Sequence, residues 1–185
     1  MDRAGHREHR ARYGGLRPAA LRRGGGPVIE LDEVRRLLPR RRPMLLVDRV
    51  LEVVPGERIV AAKAVTCNEP WYTRLPESTP AERLGYPSAL VIESWGQAAG
   101  ILSRLSGELP EGMMLLAGLS DVRVHRTVLP GVLLEHRARI VRSLGDHLIF
   151  EGESVVDGDT IVSIGQMVMA FRPASAVLPP GGDRR

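Results

Sequence analysis

One segment, from Ser88 to Leu105, constrains the fold of this chain more than any other feature. It follows Pro87, which suits the start of a helix, and its apolar residues, Trp95 among them, occupy most helical faces. A helix that is apolar nearly all round has to be buried. Within it, Gly96 and Gly100 remove side-chain bulk, which would let a sheet or a ligand approach closely.

The rest of the chain predicts strands separated by turns. Two β-rich runs, 44–54 and 58–66, flank a Pro-Gly-Glu turn and predict a hairpin. A short helix from Asp32, a favourable N-cap residue, to Pro39 is predicted before them. A loop without periodicity covers residues 67–86, and loops of this length often carry function. Further strands are predicted at about 113–120, 132–143, 147–156 and 160–171.

A curved antiparallel sheet is the only element available to cover the buried helix. The sequence therefore predicts an α+β fold in which one domain spans residues 28–173. Residues 1–27 are rich in arginine and glycine and predict a disordered basic tail, and residues 174–185 predict a second tail. A basic tail can bind nucleic acid through its phosphates, but only Tyr13 could stack on a base. A solvated extension without a nucleic-acid partner is therefore favoured.

Cysteine usage and apolar content indicate the compartment. Cys67 is the only cysteine, which excludes an intramolecular disulfide and a cysteine cluster for zinc and makes the cytoplasm the expected location. The most apolar stretch is interrupted by Glu93, Gln97 and Arg104, so no membrane span is predicted. We expect no cofactor.

Several short motifs occur in the same order and spacing as in the hotdog dehydratases of fatty-acid synthesis. They are residues 38–40, 43–50, 68–70, 91–93, 97–100, 116–118, 123–126, 128–131 and 156–158. Over about residues 28–173 the chain resembles the 3-hydroxyacyl-(acyl carrier protein) dehydratase family. The resemblance implies a hotdog fold, in which a curved antiparallel sheet wraps one long buried helix. It also implies a dimer with active sites between the subunits, an acyl chain in a tunnel along the helix, and an acyl carrier protein docked outside.

The same resemblance assigns candidate site residues. In that family a Gly-His-Phe-Pro-Gly loop supplies a histidine, and the helix supplies a carboxylate to the site across the dimer. Elimination of water needs a base for the proton beside the carbonyl and an acid for the departing hydroxide, and these two groups suit those tasks. Glu93 falls on the family's carboxylate, and Gln97 on its glutamine one turn later. Ser88 stands where the family has glycine, at a helix N-terminus that would polarise the thioester. The resemblance assigns Gln97, Ser88 and Gly96 to substrate binding.

The loop departs from the family pattern, because the chain reads Thr-Arg-Leu-Pro-Glu where the histidine motif would lie, and additional residues follow. No histidine occurs between Asn68 and Glu93. When the loop is aligned with the family motif with a gap of one residue, Arg74 falls at the position of the histidine. Its guanidinium stays protonated, so it would bind substrate and not act as a base. Glu77 and Glu82 are the local groups that would have to replace the base.

The remaining histidines and arginines have simpler interpretations. His125, His136 and His147 lie in or beside predicted strands, and we interpret each as a partly exposed strand residue. Their spacing to carboxylates predicts no metal site. Arg123 and Arg126 fall in the family's basic strand segment and are candidates for docking an acidic carrier protein.

Three functions remain open at this stage. Because the family's site draws its histidine and its carboxylate from different subunits, this chain would lend Glu93 to a histidine-bearing hotdog partner in a mixed dimer. Such a division suits a specialised pathway such as polyketide assembly. The second hypothesis is a non-catalytic homodimer that binds an acyl chain, and the third is a hotdog thioesterase in which the helix carboxylate activates water.

Overall fold

The computed structural model describes residues 26–107 and 113–173 of the chain. Almost all of the predicted N-terminal tail and the whole of the predicted C-terminal tail lie outside the described residues. The elements follow the order α1 (Leu31–Leu37), β1 (Arg49–Val54), β2 (Arg58–Val65), α2 (Ser88–Leu105), β3 (Met113–Val124), β4 (Val132–Leu144), β5 (His147–Val156) and β6 (Asp159–Arg172). Two short 3₁₀ helices, Pro70–Arg74 and Ala81–Arg83, lie between β2 and α2.

The strands form one antiparallel sheet in the order β1-β2-β4-β5-β6-β3. The predicted hairpin is confirmed as the pair β1–β2, and β4, β5 and β6 form a meander. Register shifts interrupt the ladders, and such bulges bend the strands. At one of them Gly152 has a φ of 153°, and a Cβ there would lie 2.0 Å from the carbonyl oxygen of Arg137. Only glycine therefore fits this bend.

The long helix α2 is buried against one face of the sheet, as its composition predicts. Trp95 and Ile101 have no exposed surface, and apolar residues of β2, β4, β5 and β6 complete the same core. A Cβ at Gly100 would lie 2.5 Å from the terminal methyl of Met114 on β3, so this flexible side chain would have to move to admit it. A Cβ at Gly96 would make only ordinary contact with Met167 on β6.

Two predicted boundaries are wrong. Asp32 is not the N-cap of α1, because the helix begins at Leu31 and the carbonyl of Glu30 accepts the first helical hydrogen bonds. The predicted strand 44–54 begins only at Arg49. Met44 and Leu46 bond to side chains of α2 instead of to a neighbouring strand, and the pairing with β2 starts only with the Asp48 N–H, which donates to Ala62.

In the described ranges, no helix combines the length and the apolar composition that crossing a bilayer requires.

Candidate active site

Glu93 lies on α2 with its carboxylate held at one oxygen. Gln97, one turn later, donates from Nε2 to Glu93 Oε1 at 2.9 Å. The Arg40 Nε atom lies 3.5 Å from the same oxygen, in an ion pair whose Glu93 side chain is 35% exposed. Within the described part of the chain, Oε2 has no such partner. The site therefore presents one fixed and one available carboxylate oxygen at the protein surface.

The Gln97 side chain hydrogen-bonds to the backbone of residues 44–46, the segment that runs along α2. Its Nε2 donates to the Met44 carbonyl at 2.8 Å, and its Oε1 accepts from the Leu46 N–H at 2.9 Å. Both Nε2 hydrogens are thus used, one by Met44 and one by Glu93. Gln97 therefore fixes the orientation of Glu93 relative to residues 44–46, and its role in substrate binding stays a prediction.

Ser94 extends this arrangement into the core. Its hydroxyl donates to the Leu46 carbonyl at 2.8 Å and lies 2.8 Å from Nε2 of His136 on β4. Because the single hydroxyl hydrogen goes to Leu46, the histidine has to donate from Nε2. Its Nδ1 then accepts from Ser154 on β5, at 2.8 Å. The network joins α2, β4, β5 and the segment before β1.

The interpretation of His136 as partly exposed is wrong, because its side chain has no exposed surface. It occupies an inward position of β4, between Leu134 and Ala138, which are also buried. Burial, with a smaller contribution from the positive charge of Lys63, lowers the pKa of His136 to about 3. A neutral, fully hydrogen-bonded imidazole is a structural group and not a base open to substrate. The interpretation of His125 and His147 as partly exposed is confirmed.

The loop before α2 is held in place by buried polar contacts. Lys63, the only lysine of the chain, donates to Glu69 at 2.7 Å in an ion pair with both side chains largely buried. The Tyr72 hydroxyl donates to the Leu84 carbonyl at 3.0 Å and ties the loop to itself. Tyr86 donates its backbone N–H to Val128 at 2.7 Å. These contacts explain why a segment without periodicity has a defined path.

The hydroxyl of Tyr86 is buried without a hydrogen-bond partner among the described residues. Burial, together with the nearby charge of Glu69, raises the pKa of this phenol. A buried hydroxyl without a partner loses its hydration and gains nothing in exchange. Tyr86→Phe is therefore expected to raise the free energy of unfolding by about 1 to 2 kcal/mol, measured by urea denaturation.

Tyr72→Phe is the matched control for that experiment. This substitution removes the hydrogen bond to Leu84 and is expected to lower the free energy of unfolding by about 1 kcal/mol. Opposite signs for the two variants would confirm the assignment. Destabilisation by both would show that the Tyr86 hydroxyl has a partner in solution.

Arg74, at the end of the first 3₁₀ helix, is exposed, as are Glu77 and Glu82. Within the described ranges, no hydrogen bond or ion pair joins any of them to Glu93. In the single chain, these described loop residues therefore do not bond to the carboxylate. Their roles in substrate binding or catalysis stay predictions.

Ser88 begins α2 as predicted, and Pro87 occupies the N-cap without a side-chain cap. Ser88 lines a cavity of about 110 Å³ with Arg126, whose Nη2 donates to Asp159 at 2.9 Å. Arg123 instead lines a groove of about 650 Å³ that crosses the face of the sheet opposite α2. The structure therefore separates the two arginines, with only Arg126 beside the start of α2.

Strand β3 forms one edge of the sheet, with an apolar surface. Its exposed large side chains are Met113, Leu116, Leu119 and Val124. Leu116 is 61% exposed, which is unusual for leucine in a long strand. A long, apolar edge strand is a template for pairing with another chain.

Among the described residues, no group of histidine, cysteine and carboxylate side chains is placed to hold a metal ion.

Sequence reasoning missed three residues of this arrangement. Arg40 belongs to a motif shared with the family, but nothing in the sequence placed it beside Glu93. Ser94 and His136 could have been recognised together, because one is a polar residue within a buried helix and the other continues the inward alternation of β4.

Comparisons with known proteins agree with this architecture. The FabA-like domain family matches residues 38–165. The chain is 34% identical over 151 residues to the 3-hydroxyacyl-[acyl-carrier-protein] dehydratase FabZ of Anaeromyxobacter sp. (strain Fw109-5), covering 80% of this chain and 93% of that protein. The FabZ protein of strain K of the same genus is 34% identical over 146 residues, covering 77% of this chain and 91% of its own length.

Solved structures show the same fold. The dehydratase heterocomplex ApeI:P from Xenorhabdus doucetiae contains a chain with a TM-score of 0.62 and 22% identity, covering 75% of this chain and 90% of that one. The uncharacterized protein PH1136 from Pyrococcus horikoshii has a TM-score of 0.53 and 16% identity, and the match covers 72% of this chain and 88% of that one. The predicted hotdog fold is confirmed, and this chain belongs to the FabA-like domain family.

Proposed function

We propose that this chain is a subunit of a dehydratase that acts on 3-hydroxyacyl thioesters carried by an acyl carrier protein. In this proposal it supplies Glu93 to a site that a histidine-bearing hotdog partner completes. The observation that carries the proposal is the partly exposed Glu93 carboxylate, held by Gln97 at one oxygen in a chain of this family. The FabZ relatives are dehydratases of the same substrate class by name.

The chemistry divides between the two chains. The partner's histidine takes the proton from the carbon beside the thioester carbonyl, and the electron pair forms the new double bond. The bond from carbon to the hydroxyl group breaks, and Glu93 delivers a proton from Oε2 to the departing hydroxide, which leaves as water. The N-terminus of α2 at Ser88 would stabilise negative charge on the thioester oxygen.

Two observations on this structure and one on a structural relative support a second chain. Neither the cavity beside Ser88 nor the groove at Arg123 includes Glu93, Gly96 or Gln97 in its lining, so these pockets do not enclose the carboxylate. The apolar edge of β3 offers a surface on which another hotdog chain would continue the sheet. The structural relative ApeI:P is itself a dehydratase heterocomplex.

The full chain purified alone is expected to show no dehydration of a 3-hydroxyacyl thioester on a carrier protein, because its loop has no histidine to act as the base. Co-expression with a hotdog protein that is encoded by a neighbouring gene and retains Gly-His-Phe-Pro-Gly is expected to give an active heterodimer. Its activity is measured as the loss of water from the acyl group, detected by mass spectrometry. The control is the same partner expressed alone.

The alternatives give different results in the same assays. Turnover by the lone chain at the rate of ordinary family members would contradict the proposal. Hydrolysis of the thioester by a stable homodimer would favour a thioesterase. A homodimer that retains an acyl chain without turnover would favour acyl binding alone.

A further inference from the structure

Five arginines cluster between the end of α1 and the segment that lies along α2. They are Arg35, Arg36, Arg40, Arg41 and Arg42, and all five are exposed. We refer to this set as the arginine patch. Like charges this close together repel one another, and they produce a strong positive potential that attracts anionic partners.

Among the residues that the structure describes, few acidic groups neutralise the patch. Arg35 lies 3.9 Å from Asp32, and Arg40 lies 3.5 Å from Glu93. Arg41 donates to the carbonyls of Leu38 and Arg40, both at 2.8 Å, which fixes the turn without neutralising any charge.

Two arginines of the patch are free for a partner. Arg36 and Arg42 make no hydrogen bond or ion pair within the part of the chain that the structure describes. They are therefore the side chains best placed to meet an anionic surface.

The surroundings of the patch favour an acidic protein over a nucleic acid or a membrane. Leu31 and Met44 are exposed beside the arginines, and arginine with methionine is a composition typical of protein interfaces. The segment that carries the patch, residues 31–44, contains no aromatic side chain on which a base could stack. Asp32 and Glu33 precede the patch on α1, and their charges would oppose a continuous polyanion.

We infer that the arginine patch docks the acidic carrier protein that brings the acyl thioester to Glu93. The inference rests on the proposed function and adds the docking surface. Arg40 is the physical link, since it belongs to the patch and contacts the candidate carboxylate. A carrier bound here would hold its tethered thioester next to Glu93. Arg123, on the opposite face of the sheet, would not.

The test compares two double charge reversals that change the net charge equally. Arg36→Glu/Arg42→Glu alters the patch and leaves Arg40 intact, whereas Arg123→Glu/Arg126→Glu alters the residues expected from the family resemblance. The full chain, isolated with its hotdog partner, is titrated with a fluorescently labelled acidic acyl carrier protein. The patch variant is expected to raise the Kd for the carrier protein by about tenfold at low salt. The difference in Kd from the wild-type complex is expected to shrink in high salt.

Equal losses in the two variants, or a larger loss at Arg123 and Arg126, would overturn the inference. So would tighter binding of an RNA oligonucleotide or of an anionic vesicle than of the carrier protein. Thermal unfolding and partner co-purification are measured for each variant, and Arg36→Gln/Arg42→Gln, without charge reversal, is expected to show a smaller loss. Carrier binding without dehydration by the wild-type complex would refute the proposed function and leave the docking surface standing.

Discussion

Glu93→Gln in the assembled complex is expected to lower kcat for dehydration by about 10²- to 10⁴-fold, the usual cost of losing an acid or base. Glutamine retains an oxygen that can accept the hydrogen bond from Gln97, so the local geometry should be kept. It carries no transferable proton, and hence the departing hydroxide would leave unprotonated. The measurement is steady-state kinetics on a carrier-bound 3-hydroxyacyl substrate, with thermal unfolding as the check on folding.

Glu77→Gln is the control for Glu93→Gln, because it makes the same chemical change on the exposed loop. It is expected to leave kcat unchanged, and Glu82→Gln likewise. Near wild-type dehydration by Glu93→Gln would remove Glu93 from the mechanism. A large loss in Glu77→Gln would show that a loop carboxylate serves as the base.

Acid is expected to destabilise the chain through His136. Its pKa is about 3 in the folded protein and about 6.5 in the unfolded chain, so only the unfolded chain takes up a proton at this residue as pH falls below 6.5. The stability from keeping the imidazole neutral is complete above pH 6.5. It is lost by about 1.4 kcal/mol per pH unit between pH 6.5 and the folded pKa.

His136→Gln isolates this contribution. Glutamine does not titrate, so the variant is expected to show a shallower decrease in the free energy of unfolding between pH 6.5 and 4.5, measured by urea denaturation. At pH 8 it should be less stable by about 1 to 3 kcal/mol, because hydrogen bonds to Ser94 and Ser154 are lost. Parallel pH profiles for the two proteins would contradict the buried, neutral assignment.

The sequence predicted the architecture because its signals are local. Apolar residues on most faces of 88–105 require a buried helix, whatever the rest of the chain does. Alternation and turn residues predicted every strand of the meander, with ends within a few residues of those observed. The late start of β1 was not predictable, because Met44 and Leu46 find their hydrogen-bond partners on α2 and not in a strand.

The candidate site was predictable in part. The family resemblance identified Glu93 and Gln97, and the structure places them in contact. It did not predict that the Gln97 amide hydrogen-bonds to the backbone of Met44 and Leu46, nor that His136 would be buried. The roles assigned to Ser88, Gly96 and Arg74 remain predictions.

What could be predicted from the sequence depends on how far apart in the sequence the interacting residues lie. Helix burial, strand alternation and turns depend on residues a few positions apart, and the sequence by itself determined them. The contact of Arg40 with Glu93 and the network around His136 join residues separated by long stretches of chain. Only the tertiary structure decides such contacts, because buried polar groups must find partners among whatever the packed elements bring within reach.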